Sequence, residues 1–128
     1  MILEIKSDPA NLKLVRKNVE KFCKENQINT DIFKAKLAVD EALQNIIRYA
    51  YDFNKTKKII ITMEKTNENN LKVILRDFGT KVSTSQIKPR ELDDIKPGGL
   101  GIHFIKSIVK GMNYEHQDDG GTLLTLVF

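Results

Sequence analysis

Two apolar runs joined by a short polar turn constrain this chain more than any other feature. "KKIIITMEK" (57–65) and "NLKVILRDF" (70–78) are β-branched or apolar, and "TNENN" links them. That turn is too short for a helical crossover, so the runs predict an antiparallel hairpin. The segments around it agree. "ILEIK" (2–6) is β-like, and "SDPANLKLVRKNVEKFCKEN" predicts a helix with Asp8 as its cap and Pro9 at its first position. Its apolar stripe is Leu12, Val15, Val19, Phe22 and Cys23. A second helix begins near Thr30 or Asp31 and carries Phe33, Leu37, Leu43, Ile46, Ile47 and Ala50 as its stripe. After the hairpin, residues 79–97 have little periodicity. A stretch of that length inside a compact domain reads as a functional loop or lid. A helix over about 100–111 follows, then "MNYEHQ" and "TLLTLVF", two strands around the turn "DDGG". The order β-α-α-β-β-lid-α-β-β lacks βαβ alternation and predicts an α+β two-layer sandwich, not a doubly wound parallel sheet.

The 128 residues, 41% hydrophobic, suffice for one domain core and are too few for two. The net charge of +4 is mildly basic. Lys and Arg are scattered among acids, as in "RELDDIK" (90–96), which describes a solvated surface and not a nucleic-acid patch. The single cysteine, Cys23, can form no internal disulfide and reads as a packed thiol. There is no membrane-length apolar run, and the N-terminus does not read as a signal peptide. A soluble, cytoplasmic protein with no nucleic-acid or membrane partner is expected.

Three short stretches could carry chemistry. In "AVDEALQNIIRYAY" (38–51), Glu41 and Asn45 are four residues apart and share a helix face amid apolar neighbours. Such a pair either reaches water or serves a ligand. An Asn oxygen suits a hard cation such as Mg²⁺, and Glu41 could accept a proton from an attacking hydroxyl. Asp40 points elsewhere and reads as a surface residue. In "RDFGT" (76–80), the Asp-x-Gly marks either a turn or a strand-end carboxylate able to accept from an exocyclic amine, with Gly79 admitting a base close to the backbone. In "PGGLGIHFIKSIVKG" (97–111), Gly98, Gly99 and Gly101 precede and open a helix with Ile102, Ile105, Ile108 and Val109 on its apolar side. The glycines either end a loop or leave backbone donors bare for an anion. Their spacing fits neither the Walker nor the Rossmann pattern.

In combination and in this order, the stretches resemble the GHKL (Bergerat-fold) ATP-binding domains, and among them the small anti-sigma-factor serine kinases. "DEALQNIIRYAY" is similar to the N-box, "RDFGT" and "PGGLGIHFIKSIV" to the two glycine boxes, and "GGTLLTLVF" to the closing Gly-Thr strand. Lys81 stands where many relatives carry a second glycine, and Tyr49 where anti-sigma kinases often carry a histidine. The resemblance implies a single histidine-kinase-like ATPase domain over 1–128. Its sheet would be mixed but mainly antiparallel, with helices on one face and an ATP lid at about 80–98. Asn45 would coordinate Mg²⁺ and Glu41 would be the catalytic base. Asp77 would hold the adenine amine, with Gly79 beside the ring and Thr122 in its polar network. Gly98, Gly99, Leu100 and Gly101 would belong to the cofactor site, Gly99 and Gly101 lining the phosphates.

The function so implied is an ATP- and Mg²⁺-dependent serine/threonine kinase acting on a small anti-anti-sigma (STAS-type) protein. Sequestration of a sigma factor is a second role, and a homodimer is expected. A nucleotide-gated binding module without phosphotransfer is the alternative. The length leaves no room for a dimerisation-and-phosphotransfer helix pair, so a complete sensor histidine kinase is not expected. His103 and His116 read as structural or surface histidines.

Overall fold

The computed structural model describes residues 1–79 and 97–128, with backbone alone at 97–101. Residues 80–96 of the expected lid, and Lys81 with them, lie outside the described residues. The chain runs β1 (Ile2–Lys6), α1 (Leu12–Glu25), α2 (Ile32–Asn45), β2 (Lys58–Lys65), β3 (Leu71–Asp77), α3 (Pro97–Ile108), β4 (Gly111–His116) and β5 (Thr122–Val127). The sheet order is β1-β2-β3-β5-β4. The α+β expectation holds, and all four described pairings are antiparallel, with no parallel component.

Local chemistry accounts for the boundaries. The Asp8 carboxylate accepts from the Ala10 N–H (3.0 Å), and Pro9 starts a short 3-10 turn that leads into α1. The Asp31 carboxylate caps α2 by accepting from the Lys34 N–H (3.2 Å). Such caps satisfy donors that a helix leaves bare. The third helix begins at Pro97, three residues earlier than its pattern predicts, and ends at Ile108. Proline costs nothing at a first position, so Gly98, Gly99 and Gly101 fall within the first turns and do not precede them. The early end follows from the sheet, where the Lys110 N–H donates to the Val127 carbonyl (2.6 Å) and draws the chain into β4.

Alternation divides the sheet cleanly. Ile59, Ile61 and Met63 of β2, Leu71, Val73 and Leu75 of β3, and Leu124 and Leu126 of β5 are buried against the helices. Burying each such side chain stabilises by about 1.5–3 kcal/mol. From α1, Leu12, Val15, Val19 and Cys23 enter this core, and burial pushes the Cys23 thiol pKa up. From α3, Ile102 and Ile105 do so.

The α2 stripe is corrected. Phe33 is 68% exposed and Leu37 is also exposed, whereas Ala35, Ala38, Val39, Ala42 and Leu43 face inward. The helix packs against both α1 and α3, and its alanines let neighbours approach closely. Asp40 likewise is no free surface residue: it is half-buried, accepting from Arg16 of α1 (2.5 Å) and from Gln44 (2.7 Å). Among the described residues, no helix is long and apolar enough to cross a membrane.

Candidate functional site

Asp77, the last residue of β3, is 2% exposed although it is a carboxylate. Its burial is possible because both oxygens are used. One accepts from the Gly79 N–H (3.0 Å), the other from the Thr122 hydroxyl. Strand register explains the second contact. Leu75 pairs with Leu124, so two residues further along Asp77 comes opposite Thr122. On the other side Asp77 pairs with Ile59, which pairs with Ile5, while Thr122 pairs with His116. One row on the helix-covered face thus reads Ile5, Ile59, Asp77, Thr122, His116. The adjacent row reads Leu3, Ile61, Leu75, Leu124, Tyr114.

Two glycines allow the backbone to close around the carboxylate. A Cβ on Gly79 would lie 2.5 Å from the Ala50 carbonyl oxygen, so the exit of β3 rests directly on the chain following α2. Gly121 has φ +80°, and a Cβ there would come within 2.0 Å of the Asp77 carbonyl oxygen. An L side chain is excluded at both close approaches.

The α2 side is built by a π-helical turn over Ile46–Ala50, in which the Tyr51 N–H donates to the Ile46 carbonyl (3.1 Å). Wide turns of this kind frequently accompany functional sites. The turn delivers Tyr51, whose hydroxyl donates to the Lys58 carbonyl (2.5 Å) and accepts from the Phe78 N–H (2.6 Å). Burial chiefly, with the Asp77 charge adding to it, raises the Tyr51 pKa despite the Phe78 N–H. Tyr114 is pushed up to about 12, by burial first and then by Asp77.

Asn45 ends α2 immediately before this turn. It is 7% exposed, and neither its side-chain oxygen nor its nitrogen has a hydrogen-bond partner among the described residues. A buried carboxamide without partners is costly and calls for a ligand. Glu41, one turn earlier, is half-buried and makes no hydrogen bond or ion pair among the described residues. No group of three or more His, Cys, Asp or Glu that could hold a metal occurs among those residues. A cation at Asn45 would therefore need most of its oxygens from water or a phosphate ligand, the habit of Mg²⁺. The residues fit that ion together with a nucleotide.

The structure brings Asp77, Gly79 and Thr122 into direct contact and joins them to the α2 end through Ala50 and Tyr51. Glu41 and Asn45 lie on α2 itself. Gly98, Gly99, Leu100 and Gly101 lie in the first turns of α3, the helix beside α2. Tyr49 is 42% exposed with the Arg48 guanidinium 5.8 Å from its ring. Tyr51, Tyr114 and His116 were not singled out as site residues by their local sequence. The tight turn after His116 was the available signal, since it sets His116 opposite Thr122.

The chain belongs to the histidine kinase-like ATPase domain family, which matches residues 5–128. Among individual proteins it is similar to the serine-protein kinase RsbW of Staphylococcus aureus, being 30% identical over 101 residues that cover 73% of this chain. The match covers 63% of that kinase, so the chain spans less than two thirds of the curated relative's length. Among solved structures, it is similar to the RsbU and RsbW domains of a Mycobacterium tuberculosis protein. The TM-score is 0.61 at 19% identity, covering 99% of this chain and 32% of that one. The Acinetobacter baumannii histidine kinase AdeS gives 0.54 at 19% identity, covering all of this chain (100%) and 66% of its own. Both structures share the fold.

Proposed function

We propose that residues 1–128 form one ATPase domain acting as an Mg²⁺- and ATP-dependent serine/threonine protein kinase of the anti-sigma-factor type. The observation that carries this is the Asn45 carboxamide, buried on the same helix face as Glu41, neither side chain having a partner among the described residues. The similarity to serine-protein kinase RsbW supports the acceptor class.

Asn45 would hold Mg²⁺ through its side-chain oxygen. When bound, Mg²⁺-ATP supplies the phosphoryl group and offsets its charge. The Asp77 carboxylate, held by Thr122 and Gly79, accepts from the adenine amine, and Gly79 leaves room for the ring. Gly98 and Gly99, in the first turn of α3, offer bare N–H groups to the phosphates, and Leu100 and Gly101 belong to the same site. Glu41 takes the proton of the acceptor hydroxyl, so that catalysis is mostly positioning and charge stabilisation. The acceptor would be a serine or threonine of a STAS-type anti-anti-sigma protein, with sigma-factor binding as a second role. The domain would work in the cytoplasm as a homodimer, with the lid at about 80–98.

Calorimetric titration with ATP, with and without Mg²⁺, tests the nucleotide assignment. Asn45→Ala should weaken Mg²⁺-dependent binding by more than about 100-fold, beyond what loss of a merely supporting residue costs. An unchanged titration would overturn the metal role. In labelled-ATP assays, Glu41→Ala should bind nucleotide and leave the acceptor unlabelled. Wild-type protein that binds ATP yet labels no acceptor would be a nucleotide-gated binding module instead.

A further inference from the structure

His116 ends β4 on the helix-covered face, in the row that holds Asp77 and Thr122. Neither of its ring nitrogens is accessible to water or has a hydrogen-bond partner among the described residues. An imidazole carries one N–H donor and one acceptor when neutral, and leaving both unmade in a buried place is costly. Its neighbours explain what it lacks. The Thr122 hydroxyl donates its hydrogen bond to Asp77, so its oxygen can only accept from others. Both oxygens of the Asp77 carboxylate accept as well. Ile59 and Ile5 complete the row without polar atoms. The row therefore has acceptors for a ligand at Asp77 and Thr122, and a single side-chain donor, at His116.

The polar edge of an aminopurine needs both kinds of group, because its exocyclic amine donates and the ring nitrogens beside it accept. We propose that His116 is a specificity-determining residue of the purine site, its ring N–H donating, directly or through one water, to a base nitrogen flanking the amine that Asp77 accepts. This rests on the nucleotide-binding reading above and assigns within it a residue from a third strand. Asp77 selects for an amine, and His116 selects for an unprotonated ring nitrogen next to it. A 6-oxo purine is disfavoured because its oxygen faces the Asp77 carboxylate, and a second time, when the contacted nitrogen is N1, because its ring N–H faces a donor.

The test is binding, with no turnover required. ATP, 1-deaza-ATP and 7-deaza-ATP are titrated into wild type, His116→Phe and His116→Gln, with Asp77→Asn as the control for the purine site. His116→Phe should weaken ATP by about tenfold, the worth of one hydrogen bond, and His116→Gln should restore most of it. One deaza analogue should bind wild type and His116→Phe equally weakly, identifying the nitrogen contacted. In wild type, the imidazole ¹⁵N resonances of His116 should move when ADP is added, and this measurement decides the matter if the Phe variant does not fold. Wild-type ATP affinity in His116→Phe with unmoved ¹⁵N resonances, while Asp77→Asn loses binding, overturns the proposal and leaves the purine site standing. Should Asp77→Asn also bind as wild type, the purine site itself is wrong and the proposal falls with it.

Discussion

Two neighbouring rows of side chains cross the same face of the sheet, two residues apart along each strand, and have opposite characters. The row through Leu75 is apolar from Leu3 to Leu124 and ends in a tyrosine whose phenol is held neutral. The row through Asp77 starts with two isoleucines and ends in a carboxylate, a hydroxyl and an imidazole. Both lie under the helices. The difference teaches that one pleat can divide stability from ligand chemistry. The apolar row gains from burial alone, whereas the polar row keeps groups whose desolvation must be offset by hydrogen bonds, as Thr122 and the Gly79 N–H do for Asp77.

Substitutions can break this division or sharpen it. The largest effect is expected in the apolar row. Leu75→Ala should cost about 3 kcal/mol in urea unfolding, because Leu75 is fully buried. Nucleotide affinity of the folded protein should stay within about twofold, less than the tenfold that one hydrogen bond commands. A large affinity loss there would show that the rows are not separate. Next comes the seam between β3 and α2. Gly79→Ala places a Cβ against a backbone oxygen and should lower stability by about 2 kcal/mol, measured by thermal unfolding. The smallest effect concerns Tyr114, whose pKa rises from 10.0 to about 12 in the fold. The fold disfavours the phenolate, so this stabilisation is complete below pH 10 and is lost as pH climbs toward 12. Between pH 9 and 11, wild type should lose about 1 kcal/mol more than Tyr114→Phe, which urea midpoints at each pH would show.

Much of this was legible in residue order. The hairpin, the capped first helix and the strands around "DDGG" follow from local pattern, and the structure has them. The α2 face did not follow, because Phe33 and Leu37 outweigh Ala35 and Ala38 in any hydropathy pattern. The choice between the two stripes is made by α1 and α3, which the pattern does not contain. Asp77 and Gly79 were legible as candidates because Asp-x-Gly carries local backbone chemistry, and Thr122 only through the resemblance of its Gly-Gly-Thr strand to the family's closing strand. His116 was not. Its importance depends on a register running across three strands, and "YEHQ" is an unremarkable strand end until Thr122 is set opposite it.

The strand order has a consequence for synthesis on the ribosome. β5 lies between β3 and β4, so one interior strand of the sheet is the last described part of the chain to emerge. Until then the nascent polypeptide presents β3 as an open, pairing-competent edge, with the Asp77 carboxylate lacking its hydroxyl. The pairing of β5 with β3 thus completes the Asp77–Thr122 contact in the same step that seals this edge against pairing with other chains.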